Sequence, residues 1–322
     1  MNRKILKNLY VTMLRIRKTQ EKIAEIYPQV PRRIQCPVHL YTGEEAIAAG
    51  VCANLRPDDY LFSFYRGHGH YLAKGGDLKA LFAELYGKAT GCSKGRGGSM
   101  HLVDFKNGFM GTSAIVGGSI ALAVGAALAF KMRGENRVAV SFFGDGACEE
   151  GVWHESMNFA SLKKLSVLFV CENNFYAVKS RISARQPLDN IFIRARNYGM
   201  RSVRVDGNDA LRVFKVSRKA IKELRNGKGP FFIEAKTYRW RQHVENTFFS
   251  QDILEDRPKK EVEGWMEKCP IKSFEKFLLK EKIFEKSDLE KIDRQIDEEI
   301  EEAVKFAEES PFPEVKNERT EI

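Results

Sequence analysis

Residues 137–176 have the sequence RVAVSFFGDGACEEGVWHESMNFASLKKLSVLFVCENNFY. Two apolar runs typical of buried β-strands, RVAVSFF and SVLFVCE, flank VWHESMNFASLKKL, whose pattern is typical of a helix. Continuous apolar strands separated by helices of about 10–15 residues indicate βαβ units and a parallel sheet. The alternation continues in ALAVGAALAFKM before this stretch and in RSVRV and PFFIEAKTYR after it. We therefore predict an α/β fold, a parallel sheet flanked by helices.

The parts of the chain on either side of this region are predicted to add helices. Residues 1–60 are expected to be helical, because apolar residues recur at helical spacing near the N-terminus. The following part combines a short strand, LFSFY, with a helix, DLKALFAELYG, and a glycine-rich loop. The C-terminal part is charged and helical, and Pro311 and Pro313 end its last helix. We expect one domain over residues 1–322, with an N-terminal helical segment 1–60 and a C-terminal helical segment 270–322.

Composition argues against two classes of partner. Lys and Arg total 53 against 43 Asp and Glu, a net charge of +10, but the basic residues are scattered and do not form a stripe with interleaved aromatic residues. No apolar run reaches the roughly 18 residues that a membrane span needs. The basic N-terminus lacks the apolar stretch and cleavage site of a signal peptide. We expect no nucleic-acid partner, no membrane contact and a cytoplasmic location.

Each of the two predicted strands in this stretch leads directly into a short polar motif. RVAVSFF leads directly into Gly144-Asp145-Gly146, and SVLFVCE leads into Asn173-Asn174. Ligands of parallel α/β sheets bind beyond the carboxyl ends of the strands. A carboxylate and an amide oxygen suit Mg²⁺, and the glycines and the following helix let a phosphate approach the backbone. Each motif alone is typical of an ordinary turn or loop; together they indicate a site for a diphosphate with bound Mg²⁺.

Gly-Asp-Gly followed by Asn-Asn at this spacing is similar to the thiamine diphosphate signature. FYRGHGHYLAKGGDLKALFAELYGKATGCSKGRGGSMHLVD, GTSAIVGGSIALAVGAALAFKM and FVCENNFYAV resemble the α subunits of the pyruvate, branched-chain and acetoin dehydrogenase family. The resemblance extends from HLYTGEEA, which begins at residue 39, to the last helix. It implies a thiamine-diphosphate-binding fold and thiamine diphosphate with Mg²⁺ as cofactors. The implied reaction is decarboxylation of a 2-oxo acid or cleavage of acetoin.

The resemblance also implies roles for residues at the strand ends. Asp145, Asn174 and the backbone carbonyl of Tyr176 match the family's metal ligands. The residues expected to contact the diphosphate are Gly144, Gly146 and Ala147 through the backbone, and Tyr65 and Arg66 through their side chains. Arginine suits this position, since its planar guanidinium matches phosphate oxygens.

Four further positions match residues near the reacting end of the cofactor. Ala114 and Val116 fall where the family contacts the aminopyrimidine, although this chain has SAIVG (residues 113–117) where the family has a sequence close to NGIVG. His243 matches the family's active-site histidine, whose labile proton lets it hold or protonate intermediates. His68 is a second candidate. His39 is expected to serve packing or an interface as much as the site.

The segment around His243 departs from the pyruvate-type pattern. Gln242 replaces a glycine, and Val244 replaces the serine that is phosphorylated in mammalian pyruvate enzymes. We therefore expect no phosphorylation switch at this position. The loop from Glu245 to Lys260 also differs, and RGHGHYLAKGGD looks more like the acetoin-type subunits.

The resemblance implies that this chain is half of an active site. In the family, a separate β subunit supplies the glutamate that contacts the aminopyrimidine. We expect an α2β2 heterotetramer that passes the acyl group of a small 2-oxo acid or acetoin to a lipoyl transacylase. The altered loop leaves open a carboligase or a sugar-modifying enzyme that uses the same cofactor. The sequence also leaves open a non-catalytic regulatory subunit and, on charge alone, a nucleic-acid-binding protein.

Overall fold

Six parallel strands form one sheet in the part of the chain that the computed structural model describes, residues 2–245 and 257–314. The strands are β1 (Tyr60–Phe64), β2 (Phe109–Ser113), β3 (Ala139–Gly144), β4 (Val167–Asn173), β5 (Arg201–Asp206) and β6 (Phe231–Lys236). Their order across the sheet is β2-β1-β3-β4-β6-β5, and each neighbouring pair is parallel. The predicted α/β fold with a parallel sheet is confirmed.

The central strands pack into two apolar cores, one on each face of the sheet. Along β3, Val140 and Phe142 belong to one core, and Ala139 and Phe143 belong to the other. Side chains alternate between faces along a strand, which explains the division. All residues of β4 are buried. Burial on both faces is the reason that these strands appear in the sequence as continuous apolar runs.

Helices cover both faces of the sheet. They are α1 (Arg3–Ile26), α2 (Glu45–Cys52), α3 (His68–Ala73), α4 (Leu78–Leu85), α5 (Gly118–Met132), α6 (Gly151–Leu162), α7 (Ile191–Arg196), α8 (Ala210–Arg225), α9 (Lys259–Glu267), α10 (Pro270–Lys280) and α11 (Lys286–Glu309). Helices α5, α6 and α7 pack on the core that contains Phe143. Helices α1, α2, α4, α8, α10 and α11 contribute to the core that contains Phe142.

The prediction of a helical segment over residues 1–60 is wrong for residues 27–44, which form turns and irregular structure between α1 and α2, and for residues 53–60, which lead from α2 into β1. Pro28, Pro31 and Pro37 explain the first difference, since proline lacks an amide hydrogen and clashes with a helix interior. The irregular segment has a consequence for the site, because it brings residues 38–44 to the carboxyl edge of the sheet, where Trp240 N donates to Thr42 O (2.9 Å).

The C-terminal helices agree with the sequence pattern. α11 ends at Glu309, directly before Ser310 and Pro311. Residues 1 and 315–322, which belong to the predicted helical segments, lie outside the described residues. The assignment of the chain to one domain stays a prediction. In the described residues, no helix has both the length and the apolar character needed to cross a membrane.

Candidate functional site

Four strand ends come together at the carboxyl edge of the sheet. β2, β1, β3 and β4 are consecutive neighbours. Their ends therefore bring Ala114, Tyr65-Arg66, Asp145 and Asn174 to the same edge. The sequence pattern predicted neighbouring strand ends for Asp145 and Asn174. One detail differs: Asp145 begins a 3-10 turn, Asp145–Glu149, and the regular helix α6 starts only at Gly151. Glu150, with an extended backbone, separates the turn from the helix.

Asp145 is buried and paired with an arginine. The Arg185 guanidinium donates through Nη2 to Asp145 Oδ2 and through Nη1 to Glu149 Oε1. The other carboxylate oxygen, Asp145 Oδ1, is buried without a hydrogen-bond partner. Burial raises the pKa of Asp145 above its ordinary value, and the positive charge of Arg185 opposes that rise. Asp145 therefore offers one buried oxygen that has no hydrogen-bond partner among residues 2–245 and 257–314.

Asn174 is held in a fixed orientation by two hydrogen bonds. Its Nδ2 donates to Glu44 Oε1 (3.0 Å), and its Oδ1 accepts from the backbone N–H of Tyr176 (3.3 Å). Glu44 is fully buried, and burial together with the nearby Glu172 raises its pKa to about 7. Arg66 Nε lies 3.7 Å from Glu44 Oε2. Glu44 thus connects Asn174 to Arg66.

Tyr176 turns its side chain away to a helix. Its hydroxyl donates to Glu261 Oε2 on α9 (2.8 Å) and accepts from Arg181 (3.2 Å). The preceding residue, Phe175, has a positive φ of 71°, an uncommon conformation for a bulky residue that marks a sharp change of direction after β4. A role at a metal would therefore belong to the Tyr176 backbone carbonyl.

Arg66 is buried beneath the loop that carries His243. Its Nη1 donates to Leu40 O (2.7 Å) and its Nη2 donates to His243 O (3.2 Å). A second buried arginine, Arg239, donates through Nη2 to the carbonyl of Ala177 (3.2 Å) in the turn after Asn174. Two cationic side chains are therefore fixed beside the strand ends where the carboxylates lie.

Three aromatic rings form a cluster next to these arginines. The ring centroid of His39 lies 4.6 Å from that of Tyr65 and 5.1 Å from that of His243, and the Tyr65 and His243 centroids are 5.3 Å apart. Burial and the charge of Arg66 lower the pKa of His243 to about 2 and that of His39 to about 3. Both imidazoles are therefore neutral near neutral pH.

His68 has a different environment. It is fully buried, with Nδ1 3.1 Å from Gln20 Oε1 and Nε2 2.8 Å from Ser99 Oγ. Burial lowers its pKa to about 4. Both ring nitrogens are therefore engaged within the chain, and the geometry favours a structural role over the catalytic one, which stays a prediction.

The segment after β2 is exposed. Ala114 is half-buried, Val116 is 43% exposed and Ile115 is 71% exposed. Gly117 follows with a φ of +78°, and a Cβ there would lie 2.8 Å from the Val152 side chain. The chain thus turns sharply into α5 while presenting apolar side chains outward.

The oxygen atoms at the strand ends fit a magnesium ion that is also bound by a ligand. Within residues 2–245 and 257–314, no cluster of three or more His, Cys, Asp or Glu could hold a metal by itself. Mg²⁺ is usually bound through one or two carboxylates together with substrate phosphates and waters. One carboxylate with an unpartnered oxygen, one amide oxygen and a backbone carbonyl match that pattern.

Several residues of this site were not predicted from the sequence. Glu44 and Arg185 reach Asn174 and Asp145 from distant segments, and Arg239 joins two loops of the site. For Glu44, the sequence contained one usable signal. Glu44 is an acidic residue directly before an apolar helix in HLYTGEEA, and a charged residue that is buried usually has a specific partner. Nothing in the sequence distinguished Arg185 or Arg239 from other arginines.

The fold and the site define an α/β protein whose ligand site lies at the carboxyl edge of a parallel sheet. The sequence model of the family described as dehydrogenase E1 component matches residues 12–316, and the chain belongs to this family of thiamine-dependent oxidoreductases.

Similarity to named proteins supports the family assignment over almost the whole chain. The α subunit of acetoin:2,6-dichlorophenolindophenol oxidoreductase from Bacillus subtilis is 44% identical over 305 residues, 95% of this chain and 89% of the relative. The chloroplastic pyruvate dehydrogenase E1 component subunit alpha-3 from Arabidopsis thaliana is 37% identical over 311 residues, 95% of this chain and 71% of the relative. The pyruvate dehydrogenase E1 component subunit alpha from Porphyra purpurea is 38% identical over 314 residues, 95% of this chain and 89% of the relative.

Proposed function

We propose that this chain is the α subunit of a thiamine-diphosphate- and Mg²⁺-dependent dehydrogenase first component. It decarboxylates a small 2-oxo acid or cleaves acetoin and passes the acyl group to a lipoyl transacylase. The observation that carries the proposal is the placement of Asp145 and Asn174 at neighbouring strand ends, with buried Arg66 linked to Asn174 through Glu44.

Asp145, Asn174 and the Tyr176 carbonyl would hold Mg²⁺, and the backbone of Gly144, Gly146 and Ala147 would approach the diphosphate. Gly144 has an ordinary φ of −77°, and a Cβ at this position would meet no atom within 4 Å. Neither the backbone conformation nor packing within the described residues therefore requires a glycine there. Room for a ligand phosphate next to the backbone accounts for it.

The diphosphate would also be bound by Tyr65 and Arg66. Arg66 is fixed by its bonds to Leu40 and His243, so its guanidinium does not lose side-chain freedom when an anion binds. Ala114 and Val116 would contact the aminopyrimidine, with Val116 supplying an apolar surface. When bound, thiamine diphosphate supplies the nucleophilic carbon and accepts the electron pair released on bond cleavage.

His243 is suited to hold a substrate oxygen by a hydrogen bond. Its depressed pKa keeps the imidazole neutral, so it carries one N–H donor and one acceptor nitrogen. Burial against His39 and Tyr65 limits its movement and excludes water from one side of the ring. His243 can therefore orient the substrate through its donor or its acceptor nitrogen while the imidazole stays neutral in the buried site.

A partner subunit accounts for the apolar surface beside the site. Ile115 and Val116 are followed on α5 by Leu122, which is 58% exposed, and by Met132, which is 80% exposed. Contiguous exposed apolar residues mark protein interfaces. The surface supports a β subunit that covers the cofactor and completes an α2β2 heterotetramer. A cytoplasmic location and the absence of a nucleic-acid partner stay predictions.

The decisive experiment is turnover by the assembled complex. The chain is co-expressed with a candidate β subunit, and reduction of an artificial electron acceptor is followed with Mg²⁺ and thiamine diphosphate. Pyruvate, 2-oxobutyrate, branched 2-oxo acids and acetoin are offered in turn. We expect turnover of at least one substrate, abolished in Asp145→Ala and kept in Asp206→Ala, a matched carboxylate at the end of edge strand β5.

The same assay separates the dehydrogenase from a second candidate. The second candidate is a carboligase or a sugar-modifying enzyme that uses the same cofactor. It is favoured by Gln242 and Val244, which differ from the pyruvate-type sequence on either side of His243. Cofactor binding without reduction of the acceptor by any of these substrates, together with carbon–carbon bond formation, would favour the second candidate over the dehydrogenase.

A further inference from the structure

Arg185 is shared between two carboxylates at the candidate metal site. Its Nη2 contacts Asp145, its Nη1 contacts Glu149, and its Nε donates to Ser180 O (3.2 Å). Gln186 Nε2 donates to the same Glu149 oxygen, Oε1 (2.8 Å). Only 11% of the Arg185 side chain is exposed, so the guanidinium is confined to this position.

We propose that Arg185 competes with the divalent cation for Asp145 and thereby sets the metal affinity of the site. When the metal binds, Arg185 releases Asp145 and remains paired with Glu149. The inference rests on the proposed function, in which Asp145 is a metal ligand.

The competition follows from charge. A guanidinium keeps its positive charge at all accessible pH values, so Arg185 cannot leave the site by losing a proton. Two cations on one buried carboxylate repel each other strongly, because the surroundings screen them little. Glu149 is less buried than Asp145, with 31% of its side chain exposed against 1%. Glu149 is not one of the proposed metal ligands, so it can remain the negatively charged partner of Arg185 when the metal is bound.

A second buried arginine–aspartate pair shows what a purely structural pair looks like in this chain. Arg225 contacts Asp59, and their side chains are 12% and 0% exposed. Both oxygens of Asp59 have further partners, since Oδ1 accepts from Val138 N (2.9 Å) and Oδ2 accepts from Arg56 N (2.7 Å). Asp145 Oδ1, in contrast, has no hydrogen-bond partner among the described residues. The Arg185–Asp145 pair therefore leaves one carboxylate oxygen available, whereas the Arg225–Asp59 pair leaves none.

The test is binding of Mn²⁺ to the full-length chain with thiamine diphosphate at one saturating concentration. It is followed through the paramagnetic resonance signal of the free ion, and the Mn²⁺ that thiamine diphosphate binds without protein is subtracted. Arg185→Gln removes the competitor, so we expect Mn²⁺ to bind about 5- to 150-fold more tightly, the range typical of coupling between two ligands of one protein. Glu149→Gln leaves Asp145 as the one anionic partner of Arg185 among the described residues, so we expect weaker binding. Arg225→Gln is the matched control and should leave Mn²⁺ affinity unchanged.

The opposite signs separate competition from a structural role, which would weaken metal binding in both variants. Mn²⁺ affinity in Arg185→Gln that is equal to or lower than that of the unaltered chain overturns the proposal. If Arg185→Gln does not fold, Arg185→Lys, which keeps the charge but loses the paired contact with Asp145 and Glu149, takes its place and should also bind Mn²⁺ more tightly; unchanged or tighter binding in Glu149→Gln likewise overturns the proposal. Asp145→Ala, which leaves no side-chain oxygen at this position, tests the proposed function separately, since Mn²⁺ binding that survives in this variant places the metal elsewhere.

Discussion

Glu44 is expected to position Asn174 without touching a ligand itself. Glu44 Oε1 accepts from Asn174 Nδ2, which directs the opposite oxygen, Oδ1, toward the turn at Tyr176. In Glu44→Ala, the Asn174 amide loses this partner and can rotate. Arg66 loses its neighbouring carboxylate, 3.7 Å away, in the same variant.

The size of the effect follows from the hydrogen bond. Above its pKa of about 7, Glu44 is ionised. A hydrogen bond to a charged group contributes about 1.5–3 kcal/mol, which corresponds to roughly a 10- to 100-fold change in an equilibrium constant. Loss of residues that orient metal ligands lowers metal affinity by about 10–100-fold. We therefore expect the Kd for Mg²⁺, measured by calorimetry at saturating thiamine diphosphate, to rise by about 10–100-fold in Glu44→Ala.

Two further variants serve as a rescue and as a control for Glu44→Ala. Glu44→Gln keeps an oxygen that can accept from Asn174 and should restore most of the affinity. Glu45→Ala is the matched control, because Glu45 is equally buried but pairs with Arg17 (2.6 Å); it should lower stability and leave the Kd nearly unchanged. Wild-type affinity in Glu44→Ala, or no recovery in Glu44→Gln, would refute the positioning role.

Three further outcomes are expected. Gly144→Ala should leave the melting temperature unchanged, because the added Cβ meets no atom of the described residues within 4 Å. The same variant should bind thiamine diphosphate more weakly in calorimetry. Unchanged binding would contradict a diphosphate next to the Gly144 backbone. Leu122→Glu should leave the circular dichroism spectrum of the chain unchanged but prevent co-purification with the β subunit, whereas a stable tetramer would exclude this face from the interface. Burial holds the pKa of His68 at about 4, below its ordinary 6.5, so the unfolded chain binds the proton first as pH falls. Stability is therefore full above about pH 6.5 and decreases by up to about 3 kcal/mol toward pH 4. Urea unfolding should show a smaller decrease in His68→Gln, and an identical decrease would refute the assignment to His68.

The sequence predicted the parts of the fold whose signal is local. β3 and β4 are apolar runs because both of their faces are buried, and their ends directly precede Asp145 and Asn174 in the chain. Edge strand β2, FMGTS, was not predicted, because a glycine and two hydroxyl residues hide the strand pattern and, among the described residues, β1 is its one neighbouring strand. Strand propensity depends on such context more than helix propensity does.

The residues that complete the site could not be predicted from local patterns. Glu44 is 130 positions from Asn174, and Arg185 is 40 positions from Asp145. Glu44 and Arg185 can be identified as site residues only from the fold, which places each of them beside its partner. The resemblance supplied Arg66 and His243, whereas the cluster with His39 and the low pKa values that follow from it depend on burial.

The most direct test of the central claim is a crystal structure of the assembled heterotetramer with thiamine diphosphate and Mg²⁺. The account requires Asp145 and Asn174 oxygens at about 2.0–2.1 Å from the metal, the distance typical of magnesium ligands, with Arg66 against the diphosphate. A cofactor bound in the complex with neither Asp145 nor Asn174 on the metal would contradict the account.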